Sequence, residues 1–281
     1  MQRSTFLRNS LLATAAVSAA PRMLGGRNEQ TIIGYNHLPN HKEKTMNAII
    51  HRADSRGSAD HGWLKSRHTF SFASYYNPER MHFGVLRVLN DDHVEGGQGF
   101  GTHPHKDMEI ISIPLSGDLE HKDSMGNAQV IRQGDVQVMS AGTGVHHSEY
   151  NKNAHDPVQF LQIWVFPREK HVEPRYDQIT LDEQKMENQF LQVLSPNADD
   201  EGVWIHQDAW FHLGDFKSGQ QAEYQQKKSG NGVYVFMIEG SANVSGNDLN
   251  RRDGAGITGT DKLDFSVSED ARILLMEVPM N

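Results

Sequence analysis

The sequence predicts an all-β chain folded as two related barrels in tandem. Short apolar or alternating runs recur between turn signals from Met46 onward, at residues 83–89, 109–115, 136–139, 160–166, 233–238 and 273–278. Period-two runs of this length read as strands, and Gly-Asp, Gly-Asn and Asn-Gly pairs punctuate them. No helical stripe runs beyond about three turns, which leaves barrels or sandwiches rather than an open parallel sheet.

The division into two rests on a repeat. Ile113-Pro114-Leu115-Ser116-Gly117 precedes Ile131-Arg132-Gln133-Gly134-Asp135, and Met237-Ile238-Glu239-Gly240 precedes Leu249-Asn250-Arg251-Arg252-Asp253-Gly254. Each pair reads as a strand ending in a glycine turn, then a hairpin, then a second turn. The expected organisation is a leader and linker over residues 1–45, a first barrel over 46–180 and a second over 181–281.

The leader has Arg3 and Arg8 ahead of a short apolar run from Leu11 to Ala20, with small residues at Ser18, Ala19 and Ala20. It reads as a targeting signal too short to span a membrane. Its start is similar to a twin-arginine signal, with Ser4 in the place of the second arginine. An exported, periplasmic product is expected if residues 1–20 are used, and a cytoplasmic one beginning at Met46 if they are not.

Composition narrows the chemistry. The chain of 281 residues carries a formal charge of −9 at pH 7 and no basic run, which argues against nucleic acid and anionic membranes as direct ligands. It has no cysteine, so disulfides, thiolate nucleophiles and Cys-type zinc sites are ruled out together. A metal would be held by histidine, carboxylate, backbone or water, and 16 histidines supply candidates.

The informative stretches are GQGFGTHPHKDMEI at 97–110 and GVHHSEYN at 144–151. Side chains at i and i+2 share a strand face, so His103 and His105 present two imidazoles together, and His147 and Glu149 repeat the device. Four N/O ligands around one point leave one or two open positions on an octahedral ion. Such a set suits Fe(II), and also Mn(II), Ni(II), Cu(II) or catalytic Zn(II). Glu109 shares the parity of the first pair. It is a competing ligand, or a partner that holds an imidazole from behind, the preferred reading. His68, His82, His93, His121 and His155 have no partner at ligand spacing and read as structural or exposed. Phe70, Phe72, Tyr75 and Tyr76 read as packing, or as the wall of an apolar pocket.

Gly97, His103-x-His105, Glu109 and Gly117 together resemble the first cupin motif, and Gly134, Ser140-Ala141-Gly142, His147 and Asn151 resemble the second. With HTFSFASYYNP (68–78), MSAGTGVHHSEYN (139–151) and PRY (174–176), the chain from Met46 onward resembles bacterial pirins. The resemblance implies two double-stranded β-helix (jelly-roll) cupin barrels. It also implies metal ligands at His103, His105, His147 and Glu149, and a second barrel without metal. In keeping with that, Gln226 and Lys228 fall where the second barrel would carry its His-x-His pair. It further implies a quercetin 2,3-dioxygenase-like activity, in which a flavonol is opened by O2 with release of carbon monoxide. Glu149 would serve as both ligand and base, with a small aromatic substrate, one divalent metal (Fe(II) first among the ions above) and a monomeric protein. The alternative the family offers is a non-catalytic, metal-dependent co-regulator or redox sensor that binds protein partners.

Overall fold

The computed structural model describes residues 45–281; the leader and linker expected over 1–45 lie outside these, save Thr45. Twelve strands run through the first part: β1 Asn47–His51, β2 Gly57–Asp60, β3 Leu64–His68, β4 Leu86–Val94, β5 Gly99–His105, β6 Glu109–Ser116, β7 Asp118–Asp123, β8 Ala128–Arg132, β9 Asp135–Ser140, β10 Val145–Asn151, β11 Val158–Val165 and β12 Arg175–Thr180. The second part contains β13 Leu191–Ser195, β14 Val203–Trp204, β15 Trp210–Phe216, β16 Gln221–Gln225, β17 Gly232–Val244, β18 Asn247–Leu249, β19 Gly254–Thr258 and β20 Lys262–Val278. The helices among the described residues are two single 3-10 turns, at Ala53–Ser55 and Glu183–Met186.

The first barrel has two faces. A seven-stranded sheet runs β12-β9-β6-β11-β4-β3-β2, and a four-stranded sheet runs β5-β10-β7-β8. The second barrel is one curled sheet, β1-β19-β17-β20-β15-β13-β14, with β16 on β20 and β18 on β17. β1 lies at the start of the chain yet pairs antiparallel with β19, from Asn47 opposite Thr258 to His51 opposite Gly254. Sequence order had put residues 47–51 with the first barrel; hydrogen bonding puts them with the second.

Burial explains the long apolar runs. On β6, Ile111 and Ile113 face a core shared by the two barrels, while Ile110 and Ser112 face the first barrel's interior. On β17, Tyr234, Phe236 and Ile238 enter the shared core, and Val233, Val235 and Met237 fill the second barrel. A strand covered on both faces loses its polar alternation and reads as a continuous apolar segment. The second barrel's interior is packed with side chains such as Val235, Leu263, Phe265 and Leu275.

The repeat is visible at its turns. Gly117, just past the end of β6, and Gly240, at a register shift within β17, both adopt φ 74°, a conformation glycine takes without a Cβ penalty. The next turn closes alike in both barrels: Asp135 accepts the backbone N–H of Arg132 (2.8 Å), and Asp253 accepts that of Asn250 (3.1 Å). Gly134 has φ 89° there, and Arg252 stands in its place at φ 66°.

The pairing of β1 leads to a test. His51 Nδ1 lies 2.8 Å from the hydroxyl of the buried Tyr234. A chain begun at Arg52 would lose that partner, at a cost of about 1–3 kcal/mol, and would uncover the edge of β19. It is expected to unfold at lower denaturant than a chain begun at Met46. Equal midpoints would show β1 to be dispensable.

Candidate metal centre

The pairing of β5 with β10 builds the site. His147 lies opposite His103, and Val145 opposite His105. The strands approach closely because Gly99 has no side chain: a Cβ there would sit 2.3 Å from the Glu149 carbonyl oxygen. Past His103 the register shifts, so that Glu149 pairs with Phe100. This bulge spends three residues of β5 on two of β10 and turns Phe100 inward alongside the histidines.

His103, His105 and His147 converge. Their ring centroids lie 4.9 Å (His103–His105), 4.4 Å (His103–His147) and 4.9 Å (His105–His147) apart. One ligand atom from each falls within 4.8 Å of the others. A second such group contains His121, His147 and Glu149, so His147 is common to both. Glu149 is buried; Gln162 Nε2 donates to both its oxygens at 3.1 and 2.9 Å, and Ser112 Oγ donates to Oε1 at 3.2 Å.

The donor set fits a divalent transition metal. His103 Nδ1 lies 2.8 Å from the Gly101 carbonyl, to which it donates, so its Nε2 is free as a ligand. His147 Nε2 is buried without a hydrogen-bond partner, and an orphaned buried lone pair is costly unless something takes it. Burial, reinforced by His147 and His103, lowers the His105 pKa to about 4. Burial, with His103 and His121, lowers that of His147 to about 3. Both imidazoles are neutral near pH 7, the state that binds metal.

A cavity of about 380 Å³ opens onto this cluster. Trp63, Phe72, Phe100 and Trp164 supply apolar wall, and His103, His105 and Glu149 line its polar end. Of the expected aromatic group, Phe72 is cavity wall, Phe70 is buried in the shared core, and Tyr76 is 73% exposed. Asp92 also lines the cavity. Burial raises its pKa to about 7 despite a hydrogen bond from Ser66, and the charges of Asp91 and Glu149 add to the rise.

Glu109 departs from expectation. It neither joins the cluster nor steadies an imidazole: Ser140 Oγ donates to it at 2.6 Å, and the backbone N–H of His206 donates as well. It faces the second barrel with Ile111 and Ile113. Parity failed because the turn between β5 and β6 passes through Asp107 at φ 49°, which resets the alternation.

Several site residues escaped the sequence reading. His121 was set aside as unpartnered, yet its i+2 neighbour Asp123 lies 3.1 Å away. Ser112 and Gln162 interrupt apolar runs, and a polar residue inside such a run is the signal that would have found them. Asp92 had no distinguishing pattern. In the second barrel, His212 packs on Tyr224 and His206 on Trp204, while Lys228 pairs with Asp208.

The sequence matches the Pirin family over residues 50–165 and the family described as "Quercetinase C-terminal cupin domain" over residues 192–278. It is 42% identical over 234 residues to a protein of Escherichia coli named quercetin 2,3-dioxygenase, covering 82% of this chain and 98% of that one. It is 39% identical over 225 residues to a pirin-like protein of Caulobacter vibrioides, covering 80% and 96%. The fold is similar to the crystal structure of YhhW from Escherichia coli, with TM-score 0.80, 40% identity and coverage of 83% and 98%. It is likewise similar to the bacterial pirin YhhW in complex with nickel(II), with TM-score 0.78, 40% identity and coverage of 83% and 99%.

The environment of Glu109 gives a pH test. Burial raises its pKa from 4.5 to about 7 although Ser140 and His206 donate to it. A carboxyl whose folded pKa lies above its unfolded value stabilises fully below the unfolded pKa. That contribution is lost as pH climbs toward the folded pKa. Between about pH 4.5 and pH 7 the native protein should therefore lose stability through this group, on the order of 3 kcal/mol. Glu109→Gln does not titrate, so its midpoint relative to the parent should rise across that window. A constant difference between the two would show that Glu109 is ionised throughout.

Proposed function

This chain belongs to the pirin family, and from that premise we propose that it is a metal-dependent dioxygenase that opens the heterocyclic ring of flavonols such as quercetin. The observation that carries the reading is the junction of two surfaces: three converging imidazoles and a buried carboxylate stand at the polar end of an aromatic-walled cavity. Relatives named quercetin 2,3-dioxygenase support the substrate class, and a nickel(II) complex of a pirin supports a divalent ion.

His103, His105, His147 and Glu149 are the residues we assign to hold the ion, with Fe(II) as the native one. When bound, the metal supplies Lewis acidity toward an acidic ring hydroxyl flanked by a carbonyl, and a site for dioxygen chemistry. The protein's own groups do the rest. Trp63, Phe72, Phe100 and Trp164 exclude water and hold a planar ring system by apolar contact. Glu149 takes the proton of the hydroxyl, while Gln162 and Ser112 hold its carboxylate in place. Both oxygen atoms of O2 enter the opened ring product, and one ring carbon leaves as carbon monoxide.

Glu149→Gln separates base from ligand. An amide keeps a coordinating oxygen and loses the basicity, so metal affinity should fall modestly while flavonol turnover falls by about 10² to 10⁴-fold. His105→Ala should lose metal and turnover together. Stoichiometric metal analysis paired with loss of quercetin absorbance in air checks both. Parallel losses in Glu149→Gln would reduce Glu149 to a ligand, and a metal-loaded parent inert toward every flavonol would remove the dioxygenase assignment.

A further inference from the structure

Behind His147 lies a buried polar chain that the proposed reaction does not use. The side chain of Asp123, at the end of β7, is fully buried. Its Oδ1 accepts the backbone N–H groups of Met125 (2.9 Å) and Asn127 (3.0 Å). Its Oδ2 accepts Asn127 Nδ2 (2.8 Å) and lies 3.1 Å from His121 Nε2. His121 is also fully buried, with its ring against Tyr176 at 4.8 Å between centroids. Its other nitrogen, Nδ1, lies 3.4 Å from His147 Nδ1. The register of β7 on β10 sets His147 opposite Asp123 and Glu149 opposite His121.

The hydrogen-bond inventory assigns every proton in this chain. A carboxylate only accepts, so His121 Nε2 carries the hydrogen and donates to Asp123. A neutral His121 then has a bare Nδ1, which accepts from His147 Nδ1–H. His147 is left with its lone pair on Nε2, the buried atom without a partner, on a ring that packs against those of His103 and His105. Both nitrogens of His121 are spent, so it is no ligand although it stands within ligand distance of His147 and Glu149. His103 reaches the same tautomer by a simpler route, through the Gly101 carbonyl.

We propose that Asp123 and His121 are positioning residues, which lock His147 in its Nδ1–H tautomer and so aim its Nε2 lone pair at the metal. This rests on the reading of His147 as a ligand. Outer partners of metal-bound histidines commonly fix tautomer and ring orientation, and their loss costs about 10- to 100-fold in affinity.

Asp123→Asn tests the lock with little change of shape. The side-chain oxygen is held by the two backbone N–H groups of the turn and the Asn127 amide can turn to offer its oxygen, so the new amide nitrogen points at His121 Nε2. A donor there forces the hydrogen of His121 onto Nδ1, which then donates to His147 Nδ1 and drives the hydrogen of His147 onto Nε2. Heteronuclear NMR of the histidine rings in metal-free protein should show His147 as Nδ1–H in the parent and Nε2–H in the variant. Titration with nickel(II) alone, followed by calorimetry, should show affinity lower by about 10- to 100-fold. His121→Phe keeps a ring against Tyr176 but removes the acceptor. In it His147 should populate both tautomers, and nickel(II) affinity should also fall.

A parent His147 protonated on Nε2 would overturn the proposal. So would a folded Asp123→Asn variant with parental nickel(II) affinity. Should Asp123→Asn fail to fold, unchanged affinity in His121→Phe would have the same force. A parent that binds no nickel(II) yet shows the Nδ1–H tautomer would sink the metal assignment while upholding the relay.

Discussion

The antiparallel pairing of β5 with β10 is the constraint on which the rest of this structure depends. It sets His147 opposite His103 and turns Glu149 inward on the same strand. It requires a residue without a side chain at Gly99, where any Cβ would strike the backbone of β10. The bulge beyond His103 is part of the same device. It swings Phe100 into the cavity, so the strand that supplies two imidazoles also supplies a piece of the apolar wall.

The second constraint is that a polar cluster inside a barrel must be satisfied or left open for a purpose. Burial depresses the His105 and His147 pKa values, which keeps them neutral near pH 7. The surrounding groups then determine which nitrogen carries the hydrogen. Gly101 does this for His103, and the Asp123–His121 pair does it for His147. Glu149 meets two donors, Gln162 and Ser112, on the facing sheet. None of these partners is a cation, so the ligand lone pairs are presented without a competing positive charge. The burial that makes such a cluster expensive in an empty protein is what strengthens its hold on an ion.

The two barrels divide these tasks. The first keeps its interior polar at one end and open to a cavity, whereas the second fills its interior with aliphatic and aromatic side chains. Between them, Leu161, Ile163, Phe211, Tyr234 and Leu274 belong to one apolar core. The seven-stranded sheet that faces the ligand-bearing strands is thereby backed by a packed surface on its outer face. β1 ties the start of the described chain into the second barrel, and Arg52 fastens the following turn to Asp253 at 2.7 Å.

Much of this was legible in the residues alone. The all-β texture followed from short apolar or alternating runs between turn signals. The duplication followed from the turn pairs at Gly117 with Asp135 and Gly240 with Asp253, whose matching geometry the structure displays. The shared face of His103 with His105, and of His147 with Glu149, followed from side-chain alternation, because parity along one strand is a local property. What sequence could not reach was everything that depends on crossing from one strand to another. Glu109 was misjudged because a single left-handed residue at Asp107 resets the alternation. His121 and Asp123 gained their place only when β7 was laid beside β10. Gln162, Ser112 and Asp92 became site residues through the stacking of the two sheets, which no local spacing encodes. Local chemistry determined which side chains can bind an ion; only the tertiary structure decided which neighbours orient them, because hydrogen-bond partners are chosen by proximity in space.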